Sequence, residues 1–162
     1  MSRKFLSILL FILIISTGSL AQSNKVKVIK VPEMVKLTKA KDDQVKVINY
    51  WATWCKPCIK ELPYFVQAAK HYPNVEFIFI SLDFADQTKR VNSFAQKKEL
   101  TVGELYLIDD LDYNSWIDKI SPEWSGAIPA TMIINGDQKK FYEQEFHEGE
   151  LTKIIEETLN NN

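Results

Sequence analysis

The chain has 162 residues, 20 basic and 21 acidic side chains and a formal net charge of −1, with only two cysteines and two histidines. A balance this close to neutral argues against nucleic acid or an anionic lipid surface as a partner. The length suits one domain with a real core, and no linker, repeat or low-complexity stretch divides it.

In chain order, residues 1–21 have the pattern of a secretory signal. Arg3 and Lys4 form the basic start, 5–15 the apolar stretch and Ser19-Leu20-Ala21 the small-residue cleavage site. The apolar run falls short of the roughly 20 residues of a spanning helix. Cleavage would leave residues 22–162, with 18 basic residues against 21 acidic ones, as an exported, mildly acidic domain. The alternative is an uncleaved N-terminal anchor, the one route to a membrane that the sequence offers.

Val26, Val28 and Val31 suggest a short first strand, and Pro32-Glu33 opens a helix carrying Met34, Val35 and Leu37. The pattern breaks at 41–44. Residues 45–51 are near-continuously apolar and β-branched, as in a central strand buried on both faces. A helix follows to about His71, and 75–82 is a second buried strand, which gives a βαβ unit with a parallel pair. Residues 86–99 have helical spacing at Val91, Phe94 and Ala95, 103–108 predict a strand and 112–120 a helix. After a loop at 121–126 come Ile128-Pro129 and a strand at 130–134. The turn Asn135-Gly136-Asp137 leads into an antiparallel partner at 140–146. An amphipathic helix over 150–159, with Leu151, Ile154, Ile155 and Leu159 on one side, closes the chain. The sum is an α/β fold, a mixed central sheet flanked by helices.

The chemistry concentrates at Trp54-Cys55-Lys56-Pro57-Cys58, where a strand hands over to a helix. A sulfur there faces unpaired N–H groups and the positive end of the helix dipole, which favour the thiolate. Two cysteines two residues apart can close and reopen a disulfide. Structural zinc wants four N or S ligands, and His71 and His147 are remote. A structural disulfide gains most by closing a long loop, which this ring does not. Glu61 has Pro57, Cys58, Tyr64 and Phe65 as its helical neighbours, so it falls on the apolar face, where burial would raise its pKa. The alternative is a rim position turned to water. Asp110, Asp112 and Asn114 alternate as in a calcium loop, but Ser115 and Ser121 stand where Gly and Glu are needed.

Residues 49–63 (NYWATWCKPCIKELP), with Ile128-Pro129-Ala130-Thr131 downstream, resemble the TlpA-like extracytoplasmic thiol–disulfide oxidoreductases of the thioredoxin superfamily. The resemblance implies a thioredoxin fold with a strand-helix insertion before the cis-proline strand. It implies an exported, periplasmic reductase that exchanges a Cys55–Cys58 dithiol with disulfides of partner proteins. Cysteines of apocytochrome c awaiting haem would be a substrate and a membrane electron donor the source of reducing power. No cofactor is implied beyond the sulfur pair. Cys55 would be the nucleophile and Cys58 the resolving thiol. Lys56 would set a charge beside the thiolate, or else be a solvated surface residue, and Pro57 fits the first helical turn. Asn49 stands where thioredoxin has a titrating aspartate, which shifts proton handling to Glu61 and leaves Asn49 as a buried amide satisfying neighbouring backbone. Pro129 would be cis, with Ile128 offering edge-strand hydrogen bonds to substrate. Trp51 is expected in the core and Trp54 at the rim of the site, with Trp124 at the groove or capping the loop, and the histidines at the surface or at caps. The competing reading is a binding module, holding unfolded segments or copper(I) without redox turnover.

Overall fold

A computed structural model describes residues 25–39, 44–110 and 112–160. The leader read over 1–21 and most of the break at 41–44 lie outside them. The described chain runs β1 (Lys27–Ile29), α1 (Val31–Leu37), β2 (Lys46–Trp51), α2 (Lys56–His71), β3 (Glu76–Ser81) and α3 (Thr88–Lys97). It continues through β4 (Glu104–Ile108), α4 (Ile117–Ile120), β5 (Ala130–Asn135), β6 (Gln138–Tyr142) and α5 (Glu150–Asn160). The sheet order is β1-β4-β3-β2-β5-β6. Strands β1, β4, β3 and β2 are parallel, and β5 and β6 join antiparallel beyond β2.

Side chains alternate along a strand, so each central strand feeds two cores. Val47 and Trp51 of β2, Phe77 and Phe79 of β3 and Leu105 and Leu107 of β4 face one layer. There α2 contributes Cys58, Leu62 and Phe65, α3 Val91 and Ala95, and α5 Leu151 and Ile155. Ile48, Tyr50, Ile78, Ile80 and Ile108 face the other layer, covered by Met34, Trp116, Ile120 and Trp124. Burial of each large apolar side chain contributes roughly 1.5–3 kcal/mol, which explains why β2 is mostly apolar on both faces, Lys46 and Asn49 excepted.

Four sequence expectations shift. Val31 is the first residue of α1 rather than part of a strand, because the chain turns into the helix at Lys30. Within 86–99 the helix spans only Thr88–Lys97. A 3-10 turn at Ala85–Gln87 precedes it, and Glu99 adopts a left-handed φ of 59° that ends it. The helix read over 112–120 is a 3-10 turn at Tyr113–Ser115 and the single turn of α4. Trp116 interrupts it with φ −135°, burying its indole against Tyr113 and Trp124. The last strand ends at Tyr142 and not at 146, since the chain leaves the sheet edge there and buries Phe146 against Phe65. The strand expected over 103–108 forms as β4, which lies between β1 and β3 in the sheet. Among the described residues no helix is long and apolar enough to cross a membrane.

Candidate functional site

Strand β2 ends at Trp51, and Ala52, Thr53 and Trp54 carry the chain to Cys55, which caps α2. The Cys55 backbone is extended, as an N-cap residue requires, and its sulfur accepts from the Cys58 N–H at 3.2 Å. Cys55 and Cys58 are joined as a disulfide with their Cα atoms 5.3 Å apart. Cys58 has no exposed surface and Cys55 5%. Attack from outside therefore has a single sulfur to reach. Pro57 occupies the first turn of α2, where no N–H is needed, and Lys56 is exposed beside it, a position at which a charge is worth little.

The Ile128–Pro129 peptide bond is cis. The loop that leads to it carries Trp124, whose indole N–H donates to the Ala127 carbonyl at 2.8 Å. That ring is buried against Tyr50, Trp116 and Phe141, so it holds the loop from the core side. The Ile128 carbonyl oxygen lies 3.7 Å from Cys55 Sγ, within reach of a weak S–H donor once the disulfide opens. Trp54 stands at the rim, 59% exposed, and Trp51 in the core with none.

Glu61 follows Cys58 by three residues, one helical turn along the same face of α2, and is wholly buried. Its Oε1 accepts from Asn49 Nδ2 at 2.9 Å and its Oε2 from the Phe146 N–H at 2.8 Å. Loss of hydration outweighs these two bonds and pushes its pKa up to about 7. Nearby Glu145 adds to the rise. A rim position for Glu61 is thereby excluded. Asn49 corrects its expected role: its amide donates to two side chains, Glu61 and Thr131 Oγ1, and not to backbone, while its Oδ1 has no hydrogen-bond partner among the described residues. His71 is exposed in the last turn of α2, and the His147 N–H donates to Glu150 at the start of α5.

One residue of the site escapes sequence reasoning. Asp83, 1% exposed, accepts from Thr53 N at 2.9 Å, Thr53 Oγ1 at 2.6 Å and Ser81 Oγ at 2.8 Å. It ties the end of β3 to the segment that delivers Cys55. The signal was present as Ser-Leu-Asp closing an apolar strand, where two polar residues at alternate positions share one side. Among the described residues no group of three or more His, Cys, Asp or Glu side chains converges as a metal site would.

Residues 18–139 match the AhpC/TSA family. The chain is 32% identical over 123 residues to the thioredoxin-like protein YneN of Bacillus subtilis, covering 75% of this chain and 65% of that protein. It is 33% identical over 96 residues to the thiol-disulfide oxidoreductase ResA of Bacillus cereus, covering 57% and 49% respectively. The chain thus spans about half to just under two thirds of the length of these relatives. A thioredoxin-related protein from Neisseria meningitidis serogroup B superposes with a TM-score of 0.59 at 21% identity, covering 75% of this chain and 89% of that one, a likeness of fold.

Proposed function

The chain belongs to the AhpC/TSA family, and from that membership and its thioredoxin fold we propose that it is an exported protein-disulfide reductase working through Cys55 and Cys58. The observation that carries this reading is the disulfide at the N-terminus of α2, with Cys55 slightly exposed and Cys58 wholly enclosed.

In the reduced state the Cys55 thiolate, favoured by the helix N-terminus, attacks one sulfur of a substrate disulfide and expels the other as a thiolate. A mixed disulfide to Cys55 results. Cys58, having given up its proton, then attacks Cys55 Sγ, restores the internal disulfide and releases the second substrate thiol. Two electrons and two protons pass to the substrate. Glu61, one turn from Cys58 and titrating near neutrality, is the group assigned to accept and return the Cys58 proton. Trp54, Lys56, Pro57, Ile128 and Pro129 form the surface that receives the substrate, with the Ile128 backbone pairing to it as an added strand. A leader at 1–21, with residues 22–162 as one periplasmic domain, an apocytochrome c dithiol as product and a membrane electron donor complete the proposal.

Two measurements test it. Equilibration against dithiothreitol and glutathione buffers should give a reduction potential nearer the roughly −270 mV of thioredoxin than the about −120 mV of a strong oxidant. Cys58→Ser should accumulate mixed disulfides through Cys55, detected by mass spectrometry and released by dithiothreitol. A chain whose Cys55→Ser variant keeps full partner affinity, and whose Cys58→Ser variant traps nothing, is a binding module instead.

A further inference from the structure

Two aromatic rings stand in solvent beside the disulfide, Trp54 at 59% exposure and Phe84 at 51%. Leaving rings of this size in water forgoes a large share of their burial energy, and clustered exposure of this kind marks a contact surface. Both are held in place from beneath. Asp83 immediately precedes Phe84, and through its bonds to Thr53 it also grips the residue immediately before Trp54. A buried carboxylate is costly unless fully hydrogen-bonded, so this clamp holds together the two backbone segments that carry the rings.

Between them lies an open cavity of about 280 Å³ lined by Trp54, Leu82, Phe84, Tyr113, Gly126 and Ile128. None of these side chains is charged, and the Tyr113 hydroxyl is already engaged, donating to the Leu82 carbonyl at 3.3 Å. Gly126, at φ 97°, holds a left-handed turn that side chains rarely adopt, and the loop bounds the cavity through it. Ile128 belongs to the cavity and to the surroundings of the reactive sulfur at once, since its carbonyl lies against Cys55 Sγ.

We propose that this cavity is a side-chain subsite that receives a large apolar residue, preferably aromatic, next to the reactive cysteine of a polypeptide substrate. The inference rests on the exchange chemistry proposed above. A polypeptide joined to Cys55 through its own sulfur passes Ile128. In an extended segment neighbouring side chains alternate in direction, so a residue beside the bonded cysteine is delivered toward the uncharged cavity. A polar or acidic residue there would lose water without gaining a partner. The subsite therefore selects among protein disulfides by the residue beside the cysteine.

The test uses the full-length reduced protein and two disulfide-bonded peptides that differ only in Phe or Ser beside the cysteine. The expected kcat/KM favours the Phe peptide by about tenfold, a typical worth for one apolar side chain in a pocket. Phe84→Ser should bring that ratio close to one, and Phe84→Leu should restore most of it. Equal rates with the unaltered protein, or a Phe84→Ser variant that slows both peptides by one common factor, would overturn the subsite. Bis(2-hydroxyethyl) disulfide separates the two levels of the reading. Exchange with it, but no preference between the peptides, removes the subsite alone, whereas no exchange with any disulfide removes the oxidoreductase and the subsite together.

Discussion

Glu61 is a wholly buried carboxyl group, held where its charged form loses hydration. Its pKa of about 7 against an ordinary 4.5 means that the folded protein holds this proton more tightly than the unfolded chain does. Below about pH 4.5 the group is protonated in both states and carries no penalty. As pH rises through 7 the unfolded chain releases the proton first, so stability falls over that window by about 3 kcal/mol and levels off above it. Guanidinium titrations of the oxidised protein at pH 5 and pH 8 should show this loss, and Glu61→Gln should lack it. An equal loss in both proteins would place its origin elsewhere. The position of Glu61 on the apolar face was legible from helical spacing alone, because i, i+3 and i+4 neighbours are fixed once α2 is assigned. The donors that meet its two oxygens were not, since Asn49 and Phe146 lie 12 and 85 residues away.

At the scale of elements, the strand-helix insertion depends on how closely β4 can approach β3. Gly103 stands at the entry to β4, and a Cβ there would lie 2.6 Å from the Phe77 carbonyl oxygen and 2.9 Å from the Phe79 ring. Both neighbours belong to the sheet and its packed core, so neither gives way cheaply. Gly103→Ala is expected to destabilise the fold by about 1–3 kcal/mol. Chemical denaturation measures this, and an unchanged midpoint would mean that β4 shifts without cost. Strands β2 and β3 are readable because strands buried on both faces are apolar over most of their length. Helix α4 is shorter than the 112–120 expectation. Asp112, Asn114 and Ser115 are weak helix formers, and burying Trp116 between Tyr113 and Trp124 outweighs the propensity of so short a run. The end of β6 differs for a related reason: Glu143, Gln144 and Glu145 follow Tyr142, and the Phe146 ring beyond them packs on Phe65 and not along the sheet.

Across the whole molecule, the site exists only where distant segments meet: the end of β2, the first turns of α2, the residues after β3, the loop before β5 and the chain at Phe146. Both core layers share the strands of one sheet, which makes them a single cooperative unit. Guanidinium unfolding of the oxidised protein, followed by tryptophan fluorescence and by far-UV circular dichroism, should therefore give coincident midpoints. Separate midpoints would show the aromatic layer and the site loosening ahead of the sheet. The sequence by itself determined the dithiol, its seat at a strand-to-helix junction, the order of strands and helices along the chain and the sidedness of Glu61. Each of those follows from local spacing, where backbone geometry dictates which side chains share a face. Tertiary structure alone decided that Asp83 clamps the approach to Cys55, that Asn49 serves Glu61, and that Trp54 and Phe84 wall one cavity. Those are contacts between segments far apart in the chain, and their geometry is set by the packing of β2, β3 and the loops beyond them, which no local pattern encodes.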